Sequence, residues 1–404
     1  MRLNQLRALL CGAVLIFPLA VSGAPKASTT LHVLVEQAWL RSPSVQGTLA
    51  RQGEVDAARS LSGSWVAGQP ALGLSQRRGR ASGQDGARES EVTMSASFWT
   101  PGQRSARQGM ARYSAAELQT QLGKVRLDIA GEVRTRLWDA AAAQALLEEK
   151  EGQLQGIEAL ADEVRRRVAA GDLARVDALL AEQEVQAARI AVEQATAETH
   201  ASLAKLRVLT GPVGALPLEL EQLAAANDTS NVRVQAARAT QSLAEASLRL
   251  AQASRSEPPT LALSLREERD PVLRAPDRSV GLHLQIPIGS AGRNRPVEAQ
   301  AHTQLVVAAA EALQSEEITR GELDVARAQI EHARRALAAA VARVSAMREH
   351  EQLIDKAFRL GERGLADMLR SRALAYEARV AKRQQEVALG RAHSQFNQAS
   401  GVLP

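Results

Sequence analysis

The chain has 404 residues, a formal net charge of +5 and a pI of 9.8, with 50 Lys and Arg set against 45 Asp and Glu. The two signs are interleaved along helical faces, without a groove-reading motif or an aromatic-studded basic patch, so this balance describes a solvated helix surface and excludes nucleic acid as the partner. Aromatic residues make up only 2% of the sequence, which argues against a core of large rings and for helix seams rich in Ala, Leu and Val.

At the amino terminus, Arg2 and Arg7 precede an apolar run over 8–21 and the small residues Ser22-Gly23-Ala24. This reads as an export signal over 1–24, with an apolar run short of the ~20 residues that span a bilayer. The single cysteine, Cys11, lies inside it, so removal of the signal leaves no thiol for disulfides, metal sites or catalysis.

The segment 25–211 reads as the first of two copies. A short helix over 44–65 leads into a β-hairpin over about 70–99. In its second strand Val92, Met94, Ala96 and Phe98 alternate with Glu91, Thr93, Ser95 and Ser97, and the first strand carries Leu72 and Leu74. The loop over 79–86 is polar and Gly-rich, hence exposed. No proline interrupts the chain between Pro101 and Pro212, and Leu118, Leu122, Val125, Ile129, Val133 and Leu137 recur at helical spacing. That periodicity breaks at Ala170-Gly171-Asp172-Leu173 and resumes to about 209, which predicts a helical hairpin over about 102–209.

After a connector over 212–230 the plan repeats through 231–404: a helix to about 254, a β-hairpin over about 259–288, and a helical hairpin over about 292–400. The second strands carry Leu261, Leu263 and Leu265, then Val280, Leu282, Leu284 and Ile286. The second stripe carries Leu323, Ala326, Ile330, Leu337, Val341 and Val344, and the second bend is Leu360-Gly361-Glu362-Arg363-Gly364-Leu365. Three glycine pairs keep one offset: Gly102 and Gly292, Gly171 and Gly361, Gly211 and Gly401 are each 190 apart, whereas Pro70 and Pro259 are 189 apart. The slip of one residue falls in a surface loop.

The fold class is therefore mainly α with a small β part: long antiparallel helical hairpins and four half-apolar strands in an internally duplicated chain. Strands of about nine residues cross an outer membrane when tilted, but four cannot close a useful barrel, so several chains must share one. An enzyme lacks its parts here, with no phosphate loop, nucleophile elbow or metal-ligand cluster, and no cofactor is expected. The seven histidines, among them His200, His283, His302, His332 and His350, lack the paired spacing of a metal site.

This order of elements resembles the TolC-like outer membrane efflux protein family. The residues that carry the resemblance are Leu31-His32-Val33-Leu34-Val35-Glu36-Gln37-Ala38-Trp39, the corner Phe98-Trp99-Thr100-Pro101-Gly102-Gln103-Arg104, the two bends, and Leu209-Thr210-Gly211. The resemblance implies a homotrimer whose twelve strands form one transmembrane β-barrel in outer membrane lipid, with an α-barrel tunnel reaching through the periplasm. Such a duct is passive. It docks on a periplasmic adaptor of the membrane fusion type and an inner-membrane pump, of the resistance-nodulation-division type. The corner and the bend Gly171-Asp172-Leu173-Ala174-Arg175 look most similar to the branch exporting heavy-metal cations; ducts for drugs, organic compounds or secreted proteins share the fold. A periplasmic adaptor is the rival, but it would carry one hairpin between compact β modules.

In that family the bends lie at the periplasmic tip. Asp177 and Asp367 each stand six residues after a bend glycine and are pore or gate candidates, as is Arg370, three positions on from Asp367, where the chain departs from the family's commoner acidic tip pattern. The competing role for either aspartate is to cap its own helix. Gly171, Leu173, Gly361 and Leu365 are the adaptor-docking candidates, or else serve only to make the turns.

Overall fold

The computed structural model describes residues 30–79, 87–216, 219–224, 231–269 and 275–404. The expected signal, most of both strand loops and parts of the connector lie outside the described residues.

Two short helices, α1 (Leu31–Arg41) and α2 (Pro43–Gly63), open the chain. The Thr30 hydroxyl caps the start of α1 at the Val33 N–H, and the two helices part at the extended Ser42 because Pro43 disfavours helical backbone before it and sets the first residue of α2 with its fixed φ. Strands β1 (Ala71–Arg78) and β2 (Arg88–Ser97) follow, then α3 (Gln103–Ala170) and α4 (Arg175–Thr210). The second copy gives α5 (Val232–Ala253), β3 (Thr260–Arg269), β4 (Asp277–Gln285), α6 (Ala291–Arg359) and α7 (Leu365–Ala399). With 68 and 69 residues, α3 and α6 each extend about 100 Å at 1.5 Å per residue. Pro296 lies six residues into α6, past the first turn, and removes one backbone donor from that helix.

The strands form one antiparallel sheet in the order β1-β2-β3-β4, so the β2–β3 pairing joins the two copies. Its register lines up rows across all four strands: Leu72, Met94, Leu263 and Leu282 in one, Leu74, Val92, Leu265 and Val280 in the next. Every one of these apolar side chains is exposed.

Helix packing forms three clusters of buried side chains. Leu34, Val35 and Ala38 of α1 pack with Ile129, Val133 and Leu137 of α3 and Leu206 of α4. Leu323, Ala326 and Ile330 of α6 meet Ala392, Phe396 and Ala399 of α7. The third cluster lies beside the bends and draws on α3, α4, α6 and α7. The first sequence stripe is buried at Leu118, Ile129, Val133 and Leu137. The second is buried only as far as Ile330, and Val341 is exposed. Helix α6 thus presents to solvent an apolar face that α3 keeps covered.

One landmark needs correction. Gly102 takes φ +83° and starts α3, but its counterpart Gly292 lies in the first turn of α6, behind an extended Ser290. The glycine that the second corner requires is Gly289, where a Cβ would stand 2.2 Å from the Arg255 carbonyl oxygen. A different backbone route reaches the same helix start, and the shared spacing conceals it.

Candidate functional site: a membrane sheet, a helical seam and a bend

The sheet has two unlike faces. Because side chains alternate along a strand, the exposed apolar rows leave the polar residues on the opposite face. That face carries Gly73, Thr93, Ser264 and Gly281 in one row, then Ser75, Glu91, Arg266 and Ser279, then Arg77, Glu89, Glu268 and Asp277. Four carboxylates (Glu89, Glu91, Glu268, Asp277) oppose two guanidiniums (Arg77, Arg266), leaving two net negative charges on this face. Arg266 binds Glu89 at 3.1 Å and Glu268 at 3.2 Å. An apolar face turned outward suits lipid, and a polar one suits a water-filled lumen. Among the described residues no helix is long and apolar enough to cross a membrane.

Among the described residues both sheet edges, β1 and β4, are open, and the helices show the same half-finished pattern. Within the chain α3 packs on α7, where the Trp138 ring fills the space beside Gly390; a Cβ on that glycine would fall 2.0 Å from the ring. The repeat makes α6 and α4 the counterparts of α3 and α7, yet no comparable seam joins them among the described residues. Side chains follow suit. Leu369 and Val380 of α7 are half-buried, while their counterparts 190 positions earlier, Leu179 and Ile190, are about 60% exposed. Those exposed positions were not evident from the stripes, because each sits off the face that its own hairpin buries.

The two bends are built alike. Gly171 and Gly361 take φ +88° and +77°, and each is followed by a backbone bond spanning five residues: Asp172 N–H to Arg167 O at 2.8 Å, and Glu362 N–H to Ala357 O at 2.9 Å. Left-handed backbone at these two positions favours glycine and ends the helices. Their aspartates differ. Asp177 accepts the Ala174 N–H at 3.2 Å and so caps α4. Asp367 makes no such bond; it faces solvent and lies 3.6 Å from Arg363. Arg370 is exposed, Leu173 is half-buried, and Leu365 is 2% exposed beside Met368 and Phe358 in the bend cluster. Of the docking candidates, Gly171 and Gly361 are therefore at the surface and Leu365 is beneath it. Val176, Leu179 and Leu360 are exposed apolar residues at the same end, and the sequence reading missed them.

A buried ionic cluster ties the repeats together. Arg134 of α3, 3% exposed, donates to both carboxylate oxygens of Glu221 at 3.1 and 2.8 Å, to Gln398 at 2.7 Å and to the Val402 carbonyl. Glu221 belongs to the connector and also accepts from Ser394 and from Asn397 of α7. Burial opposes its charge, but the Arg134 hydrogen bond and charge, with hydrogen bonds from Ser394 and Asn397, hold its carboxyl below the ordinary range.

The sequence model of the outer membrane efflux protein family matches residues 34–212. No curated protein matches the chain in sequence. Among solved structures, the outer membrane protein VceC of Vibrio cholerae is 15% identical, with a TM-score of 0.75 over 92% of this chain and 96% of that one. CusC is 15% identical, with a TM-score of 0.73 over 93% of each chain. The CmeC outer membrane channel of Campylobacter jejuni is 12% identical, with a TM-score of 0.74 over 92% and 85%. At these identities the likeness is one of fold, and it extends over both repeats. The first repeat thus matches the outer membrane efflux protein family, and the whole chain has the fold of the TolC-like outer membrane channels.

Proposed function

We propose that this chain is the exit duct of a tripartite efflux system, closed by three copies around one axis, and that its cargo is heavy-metal cations delivered by a periplasmic adaptor and a pump of the resistance-nodulation-division type. Channels of this family are trimers that work with adaptor proteins and inner-membrane pumps. The observation that carries the reading for this chain is its pair of half-seams. The open edges β1 and β4, and the exposed faces of α4 and α6, are the repeat counterparts of surfaces that pair inside the chain.

On this reading the repeat predicts a register across the seam between copies. Met94 pairs with Leu263; shifting each by its copy's offset sets Leu284 (94 + 190) opposite Leu74 (263 − 189) of the next chain. A Leu74→Cys/Leu284→Cys protein, oxidised in membranes, is expected to run as covalent dimers and trimers on a non-reducing gel. Exclusively monomeric protein would overturn the trimer.

For cargo, the supporting features are the acidic polar face of the sheet, which gives six net negative charges in three copies (2 × 3), and Asp367, whose carboxylate is left free of the capping duty that engages Asp177. A ring of three carboxylates at a constriction favours cations. Each charge at close range weighs about 1 kcal/mol even in bulk water, so Asp367→Asn is expected to lower cation-over-anion permeability several-fold in planar bilayers. Asp177→Asn is expected to act mainly on the stability of α4. A reversal potential unchanged by Asp367→Asn would remove Asp367 from the pore. Duct for organic compounds remains the second reading, favoured by nothing specific in these residues.

A further inference from the structure

Above the apolar belt, on the same outward face, the sheet carries an unusual row. Arg78, Arg88 and Arg269 stand directly opposite one another across β1, β2 and β3, and the row below holds Gln76, Ser90, Glu267 and Arg278. Like charges directly opposed in a sheet are destabilising. Glu267 relieves only part of this, binding Arg269 and Arg278, each at 3.1 Å. Arg78 and Arg88 are exposed and have no ionic partner among the described residues. Four guanidiniums against one carboxylate leave three net positive charges on this face, while the opposite face at the same height is acidic.

Height identifies what neutralises them. The arginine row lies four residues beyond Leu74, Val92 and Leu265, which is about 14 Å along a strand and about 10 Å along the membrane normal at a tilt of about 40°. The headgroup layer on each side of the hydrocarbon core is roughly 5–8 Å deep. Arginine stems reach back along apolar surface, so the charged ends fall within that layer. The planar guanidinium fork matches phosphate oxygens in pairs. We infer that Arg78, Arg88, Arg269 and Arg278 form a collar that binds the phosphate groups of a phosphate-bearing lipid in the outer leaflet. This rests on the reading that the strand loops face the exterior and the apolar rows face lipid.

The test uses wild-type protein and the Arg78→Gln/Arg88→Gln/Arg269→Gln variant, purified in neutral detergent, titrated with lipid A and counted for bound lipid by native mass spectrometry. Retention is expected to weaken about fivefold per arginine, and about a hundredfold for the three. Arg88→Gln alone breaks no ion pair and should keep the fold while losing about fivefold. Lipid A stripped of both phosphates should bind to wild type as weakly as intact lipid A binds to the triple variant. Equal retention of lipid A by wild type, Arg88→Gln and the triple variant would overturn the inference. Displacement of lipid A by an equal concentration of inorganic phosphate would also overturn it, marking a free-anion site instead. The same spectra report assembly. A monomer that binds lipid A through these arginines would keep the collar and overturn the trimer, and a trimer indifferent to them would do the reverse.

Discussion

Replacing Arg134 by methionine is expected to cost about 3–5 kcal/mol of stability, because it strands the Glu221 carboxylate in a buried site built around a guanidinium. The guanidinium contacts α7, the connector and the carboxy-terminal backbone from its seat on α3, so its loss loosens the junction of the two repeats. The Arg134→Met/Glu221→Leu double variant should recover much of the loss, since removing both charges leaves no desolvated ion unpaired. Chemical-denaturation midpoints for the three proteins measure this, and a double variant no better than the single would show that packing, not the unpaired charge, sets the cost. A pH series gives an independent sign. Glu221 titrates below its ordinary value of 4.5 in the folded chain, so its contribution is present above that value and is lost as pH falls through the lowered one. In Arg134→Met the remaining effect on Glu221 is chiefly burial, which raises its pKa. Acidification toward pH 5 should then stabilise the variant while wild type shows no such gain.

Leu263→Arg is expected to prevent stable insertion. Leu263 lies in the middle of the exposed apolar rows, between Met94 and Leu282, and a cationic side chain on a lipid-facing strand near the midplane costs about 2–4 kcal/mol per copy. Three copies in one barrel would triple the cost. Thr93→Arg, on the polar face of the neighbouring strand, should insert normally and change conductance instead. The yield of heat-resistant trimer in outer membranes distinguishes them. Equal yields would mean that the two faces have been assigned the wrong way round.

Much of the fold was legible because local signals agreed with the global plan. Gly171 and Gly361 read as bends because a break in helical period coincided with a residue suited to positive φ. The strands read as strands because Val92, Met94 and Leu263 kept a period of two next to proline-free helical blocks. Gly292 misled, since a glycine can sit harmlessly in a first helical turn while the strict requirement falls three residues earlier, at Gly289. The Arg134–Glu221 cluster was invisible for a different reason. Its members are spaced like the solvated charges around them, and only tertiary packing removes them from water. At the bends the sequence offered two matched aspartates, and the difference in their tasks depended on backbone geometry around Ala174 that spacing does not encode.

The buried cluster also bears on how such a ring would yield under load. At the place in the second repeat corresponding to Arg134 (134 + 190) stands Asp324, an exposed side chain that pairs, among the described residues, with Arg327 on its own helix. A ring of three copies would then alternate three seams bolted by a desolvated ion cluster with three that lack the bolt. An iris made this way would not dilate evenly. It would part at every second leaf, with each polypeptide moving as one stiff blade.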